Sequence, residues 1–231
     1  MRAAVIAASR TLDVVETGTP QPGAGEVRVR VEGCGICASS LPVWEGRPWF
    51  RYPLGAGEPG HEGWGVVDAV GEGVETVRAG QRVAFLSGRA FAEHDVAKSD
   101  ALVPFPDSWR HFPGEAFGCA MNIFRRAELE RGQTVAVIGA GFLGNALVQL
   151  AKSAGARVLA VSRREGAREL AKACGADETI PMDDHATIVK RVRDLTDGRG
   201  AERVIECVGS QWPLDIANDV IAERGRLVIA G

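Results

Sequence analysis

The alternation of apolar and polar residues changes period partway along the chain. Residues 26–32 (EVRVRVE) alternate strictly, the period-two pattern of a half-buried strand. Shorter apolar-biased runs at 2–8, 11–16, 63–71, 81–86 and 91–97, broken by Gly, Pro and Asp, extend a β-rich first half. Between residues 37 and 61 the periodicity fades into a stretch carrying Trp44, Trp49, Phe50 and Tyr52, which reads as a long loop of the kind that carries function. Beyond Pro113 the pattern becomes mixed. A helix is expected over 115–130, a buried strand over 134–138, a helix over 145–154 and a strand over 157–161. Helices over 165–173, 185–196 and 214–222 then alternate with strands over 178–180, 203–208 and 226–229. Strands alternating with helices imply a parallel sheet built from βαβ units.

The domain boundary is placed at 1–125 and 126–231, within the 110–130 transition. The chain has 231 residues, 45% hydrophobic and 25% charged, an ordinary globular composition. A net charge of −3 gives no electrostatic reason to expect nucleic acid or an anionic membrane as partner. The N-terminal run is neither a signal peptide nor a membrane span. Five widely spread cysteines read as reduced thiols of a cytoplasmic protein.

Two motifs carry chemistry. In TVAVIGAGFLGNALVQLAK, Gly139, Gly141 and Gly144 follow an apolar strand and open a helix, with Phe142 and Leu143 between them. That is the context required of a dinucleotide-binding turn. At the end of the next strand stand Ser162, Arg163 and Arg164, with no carboxylate before Glu165. A carboxylate there would bind ribose hydroxyls; two guanidiniums and a hydroxyl suit a 2′-phosphate, so NADP is favoured over NAD. The second motif pairs Cys37 with His61, adjacent to Glu62. A thiolate and an imidazole are ready zinc ligands, and a catalytic zinc needs a third, for which Glu115 and Cys119 are both candidates. Cys34 and Cys37 form a lone C-x-x-C without a second pair.

The runs GCGICASS, PGHEGWGVVDAVGEGV, GEAFGCAMNIFRRA and TVAVIGAGFLG, in this order, resemble the medium-chain dehydrogenase/reductase superfamily, in its zinc-dependent alcohol dehydrogenase branch. The resemblance implies an N-terminal GroES-like β-barrel domain followed by a Rossmann doubly wound parallel sheet, with the active site in the cleft between them. It further implies one catalytic Zn2+ held by Cys37, His61 and Glu115, with Glu62 adjacent to the metal and Ser39 relaying the substrate proton. Cys34 matches no ligand, and Cys119 reads as structural. The expected activity is interconversion of an alcohol with an aldehyde or ketone, using NAD(P) and a small-molecule substrate. A homodimer is the corresponding assembly. Trp44, Trp49, Phe50 and Trp64 are candidates for the pocket wall.

Three departures from the pattern stand out. Ser40 replaces the usual Asp that supports the histidine, which predicts weaker orientation of His61. The four-cysteine lobe for a structural zinc is absent. Members also extend beyond the point matching Gly231, so the sheet is expected to lack its last strand. Two alternatives follow: a zinc-free NADPH-dependent reductase of quinones or enones, and a truncated, non-catalytic NAD(P)-binding module.

Overall fold

A computed structural model describes all residues from Met1 to Gly231, which divide into two compact units, Met1–Ala116 and Phe117–Gly231. In the first unit β1 (Arg2–Ala8) and β2 (Thr11–Glu16) form an antiparallel hairpin. The main sheet contains β3 (Glu26–Gly35), β4 (Glu62–Val70), β5 (Arg82–Phe85), β6 (His94–Lys98) and β7 (Leu102–Pro104), in the order β6-β3-β4-β5-β7. Alternation in β3 does what its pattern requires. Val27 and Val29 are fully buried among Val67, Val83 and Phe85, while Arg28 faces outward and pairs with Asp68 at 2.7 Å.

The segment between β3 and β4 is more ordered than its sequence suggests. A 3-10 turn over Ala38–Ser40 leads into a short helix, α1 (Leu41–Glu45). Pro42 lies in the first turn, where its missing N–H costs nothing, and Gly46 ends the helix with φ +83. Five residues are too few to show helical periodicity, so these punctuation residues are the only local signal. Strand β7 was also not legible from alternation, being three residues long.

Helix α2 (Gly114–Ala127) runs from the first unit into the second. The second unit then alternates β8 (Thr134–Ile138), α3 (Phe142–Ser153), β9 (Arg157–Ser162), α4 (Glu165–Ala173), β10 (Glu178–Pro181), α5 (His185–Leu195), β11 (Ala201–Glu206), α6 (Gln211–Val220) and β12 (Ile221–Ile229). The sheet is parallel in the order β10-β9-β8-β11-β12. Its central strands are covered on both faces. Val135, Val137, Val158 and Ala160 pack into one core with Leu147 and Val148, and Ala136, Ile138, Leu159 and Val161 into another with Ile188, Ile216 and Val220. Such strands read as continuous apolar runs because neither face meets water.

Asp177, before β10, ties this layer together. Its carboxylate accepts from Lys152 Nζ at 2.9 Å and from the Val158 backbone N–H at 2.7 Å. Burial opposes its ionisation, but these two donors outweigh that and hold its carboxyl below the usual Asp range. A lowered carboxyl contributes stability above its unfolded pKa and loses that contribution as pH falls through the folded value. Asp177→Ala should therefore cost about 1 kcal/mol near neutral pH, with the difference from wild type shrinking on acidification below about pH 4. Urea unfolding at both pH values measures this.

Candidate active site

Cys37 and His61 are separated in sequence but meet through strand pairing. Strands β3 and β4 are antiparallel neighbours with Gly35 opposite Glu62, so the chain leaving β3 and the chain entering β4 lie side by side. Cys37 caps the 3-10 turn, and its carbonyl accepts from Ser40 N–H at 3.0 Å. His61 immediately precedes β4. The donor atoms of Cys37, His61 and Glu62 all lie within 4.8 Å of one another, and all three residues are half-buried. Donors in a tetrahedral zinc site stand about 3.3–3.8 Å apart, so the three groups are close enough to share one ion after small side-chain adjustments.

Several glycines make this approach possible. A Cβ on Gly35 would lie 1.8 Å from Glu62 Oε2, so the carboxylate occupies the space that a side chain there would fill. At Gly60 a Cβ would come within 2.4 Å of the Phe91 backbone nitrogen, and the Gly60 carbonyl accepts from Ala90 N–H at 2.9 Å. The chain is thus pinned just before the histidine.

His61 Nδ1 lies 2.9 Å from the Pro59 carbonyl oxygen. A carbonyl only accepts, so Nδ1 carries the hydrogen and Nε2 keeps its lone pair free to act as a donor atom. Ser40 indeed cannot replace a carboxylate: its Oγ is buried without a partner. The orienting role falls instead to a backbone carbonyl, which no side-chain pattern can reveal. The two cysteines of the C-x-x-C also part company here. Burial, reinforced by the nearby Glu62 carboxylate, pushes the Cys34 thiol up to about 11, and it donates to the Gly35 carbonyl at 3.3 Å. Cys34 remains a neutral thiol and is no member of the converging trio.

Glu115 lies in the first turn of α2, half-buried and outside that trio. Ser39 is exposed in the 3-10 turn that follows Cys37. Cys119 is exposed on α2. Ile36, next to Cys37, and Trp49, in the segment between β3 and β4, present apolar surface, at 80% and 69% exposure. Trp64, by contrast, lies over Gly33, where a Cβ would be 2.2 Å from its ring.

In the second unit the glycine-rich turn has the geometry its sequence implies. Gly139 adopts φ +99, a left-handed conformation, and its N–H donates to the Val161 carbonyl at 2.8 Å. Gly141 caps α3, and a Cβ there would meet nothing within 4 Å, leaving open space in front of the helix N-terminus. A Cβ on Gly144 would fall 1.9 Å from the Gly139 carbonyl oxygen, so helix and turn can touch only through glycine. This cradle fits a pyrophosphate. Phe142 is 55% exposed and its ring packs 5.3 Å from that of Phe117, while Leu143 joins the core. Asn145, not singled out from the sequence, is buried and donates through Nδ2 to the Ala140 carbonyl at 3.0 Å, bracing the turn from behind. At the end of β9, Ser162 is buried while Arg163 and Arg164 are exposed.

Comparison with known proteins agrees with both halves of this description. Residues 23–107 match the family model described as an alcohol dehydrogenase GroES-like domain, and residues 143–231 match that of a zinc-binding dehydrogenase. The chain is 29% identical to an L-threonine 3-dehydrogenase of Pyrococcus abyssi, over 95% of this chain and 72% of that protein. It is 32% identical to an alcohol dehydrogenase of Geobacillus stearothermophilus, over 80% of this chain and 65% of the relative. Among solved structures, a mycobacterial protein complexed with NADPH superposes with a TM-score of 0.86 at 28% identity, covering 99% of this chain and 73% of the other. The alcohol dehydrogenase of Thermus sp. ATN1 gives 0.83 at 27% identity, covering 99% and 77%. The chain belongs to the zinc-dependent alcohol dehydrogenase branch of the medium-chain dehydrogenase/reductase superfamily. It is an oxidoreductase of the zinc and nicotinamide type, interconverting an alcohol and a carbonyl compound. No helix is long and apolar enough to cross a membrane.

Proposed function

We propose that this protein oxidises a small alcohol reversibly to an aldehyde or ketone with NADP, at one zinc held by Cys37, His61 and a carboxylate. The convergence of Cys37, His61 and Glu62 donor atoms within 4.8 Å is the observation that carries this reading. Glu62 supplies the carboxylate in that arrangement, and Glu115 is the further ligand that the family resemblance assigns. When bound, the zinc provides Lewis acidity toward a hydroxyl or carbonyl oxygen and the nicotinamide accepts or returns a hydride.

The chain's own residues do the rest. Cys37 contributes negative charge and a soft donor, and His61 presents Nε2 because Pro59 engages Nδ1. Ser39 moves the substrate hydroxyl proton toward solvent, a role its exposure suits. Gly139, Gly141 and Gly144 hold the pyrophosphate, and Arg163 and Arg164 the 2′-phosphate. The neighbour crystallised with NADPH supports the cofactor choice. Five free cysteines, none in a disulfide, support a cytoplasmic location.

The experiment combines metal analysis with a substrate screen. Purified protein should contain zinc near one equivalent and reduce NADP in the presence of an alcohol, read by absorbance of the reduced nicotinamide. The panel should include threonine and sorbitol, after the relatives that act on them. Turnover that persists at full rate after exhaustive zinc removal would refute this reading.

A further inference from the structure

The N-terminus of α4 gathers three arginines at the helix end that favours negative charge. Arg164 is its N-cap residue, Arg163 precedes it and Arg168 lies one turn inside. The positive end of the helix dipole disfavours each of these cations, and Arg164 and Arg168 repel each other at i, i+4 spacing. Glu165 offsets only part of this. Yet Arg168 does not extend into water. Helical side chains lean toward the N-terminus, and this one folds back over the end of β9. Its Nη1 donates to the Ser162 carbonyl at 2.9 Å and to the Arg163 carbonyl at 2.8 Å. The Ser162 carbonyl also accepts from Met182 N–H at 3.2 Å, so the turn is joined to β10 as well. No side chain caps α4 at Arg164, so the turn before the helix is held through its carbonyls by Arg168 and not by an N-cap side chain.

We propose that Arg168 is a positioning residue for cofactor selection: by clamping the Ser162 and Arg163 carbonyls it fixes the β9–α4 turn so that Arg163 and Arg164 meet the adenosine 2′-phosphate. The inference rests on the NADP reading and adds to it a residue that need not touch the cofactor. Both carbonyls accept from Nη1, the far end of the guanidinium, and a lysine keeps the charge but ends one bond short of it. Clamping removes backbone freedom that the turn would otherwise lose on binding phosphate.

The test titrates NADPH and NADH into wild type, Arg168→Lys, Arg168→Gln and the Arg163→Gln/Arg164→Gln double variant, and follows amide hydrogen exchange over residues 162–166. Both Arg168 variants should lose about tenfold in NADPH affinity, the scale of one charge-assisted hydrogen bond, while NADH affinity stays within about twofold. Exchange in the turn should accelerate in both. Wild-type NADPH affinity in Arg168→Lys, beside a loss in Arg168→Gln, would reduce the effect to charge and overturn the proposal. Equal losses for the two cofactors, or unchanged exchange, would overturn it too. Unaltered NADPH affinity in the double variant would instead refute the phosphate reading itself, whatever the exchange shows about the clamp.

Discussion

Cys37→Ser yields a folded protein that binds NADPH as wild type does but retains no stoichiometric zinc, and whose alcohol turnover falls by more than about a hundredfold. The expectation follows from the donor set. A serine hydroxyl stays protonated near neutral pH and is a poor partner for zinc, so the site drops from three anionic or imidazole donors to two. Even substitutions that only disturb the orientation of a ligand cost 10–100-fold in affinity or activity, and loss of the ligand itself exceeds that. The fold is spared because Cys37 caps a 3-10 turn through its backbone, its side chain forming no cap bond. Cofactor affinity is spared because the glycine-rich turn belongs to the second unit. Cys34→Ser is the informative control. Its thiol, pushed up to about 11, is neutral and donates to the Gly35 carbonyl, a bond that a serine hydroxyl can also make. That variant should keep its zinc and most of its turnover. Metal content and rate measured on the same preparations decide the matter, and a Cys37→Ser protein still loaded and active would remove the thiolate from the site.

The parts of this arrangement that sequence reveals share a physical cause. Strand β3 was legible because one face is buried and the other wet, which forces alternation. Strand β8 was legible because both faces are dry, which forces an apolar run. Gly139 and Gly144 were legible because a left-handed φ and a close packing contact each demand the absence of a Cβ, and Gly141 because a phosphate approaching the helix N-terminus would use the open space in front of it. The convergence of Cys37 and His61 depended on strand register, which local pattern does not encode; the residue types suggested the pair, the resemblance strengthened it, and pairing of Gly35 with Glu62 supplies the reason. Contacts made by backbone carbonyls stayed invisible. The Pro59 carbonyl that orients His61, and the two carbonyls held by Arg168, belong to residues whose side chains give no hint of them. The expectation of a poorly oriented histidine, drawn from Ser40, therefore looked for the support among side chains when the chain provides it from its own backbone.

Arg163→Gln/Arg164→Gln should lower NADPH affinity by about thirtyfold or more and leave NADH affinity nearly unchanged, abolishing preference for the phosphorylated cofactor. Both side chains are exposed at the end of β9, so they contribute through charge-assisted hydrogen bonds to an anion and not through packing. NADH lacks that anion, and glutamine leaves a polar, uncharged side chain at each exposed position, which keeps nonspecific losses small. Two further signatures separate phosphate recognition from general weakening. Exposed charges are screened within about 8 Å at physiological ionic strength, so raising salt should erode NADPH binding by wild type more steeply than by the double variant. The second ionisation of a phosphate monoester lies near about 6. Wild-type preference for NADPH should therefore narrow between pH 7.5 and pH 5, as the 2′-phosphate takes up a proton and its charge drops, while both arginines stay cationic throughout. The double variant has no guanidinium pair left to sense that proton, so its ratio of NADPH to NADH affinity should stay flat across the same range. A ratio that tracks pH equally in both proteins would place the phosphate elsewhere on the surface.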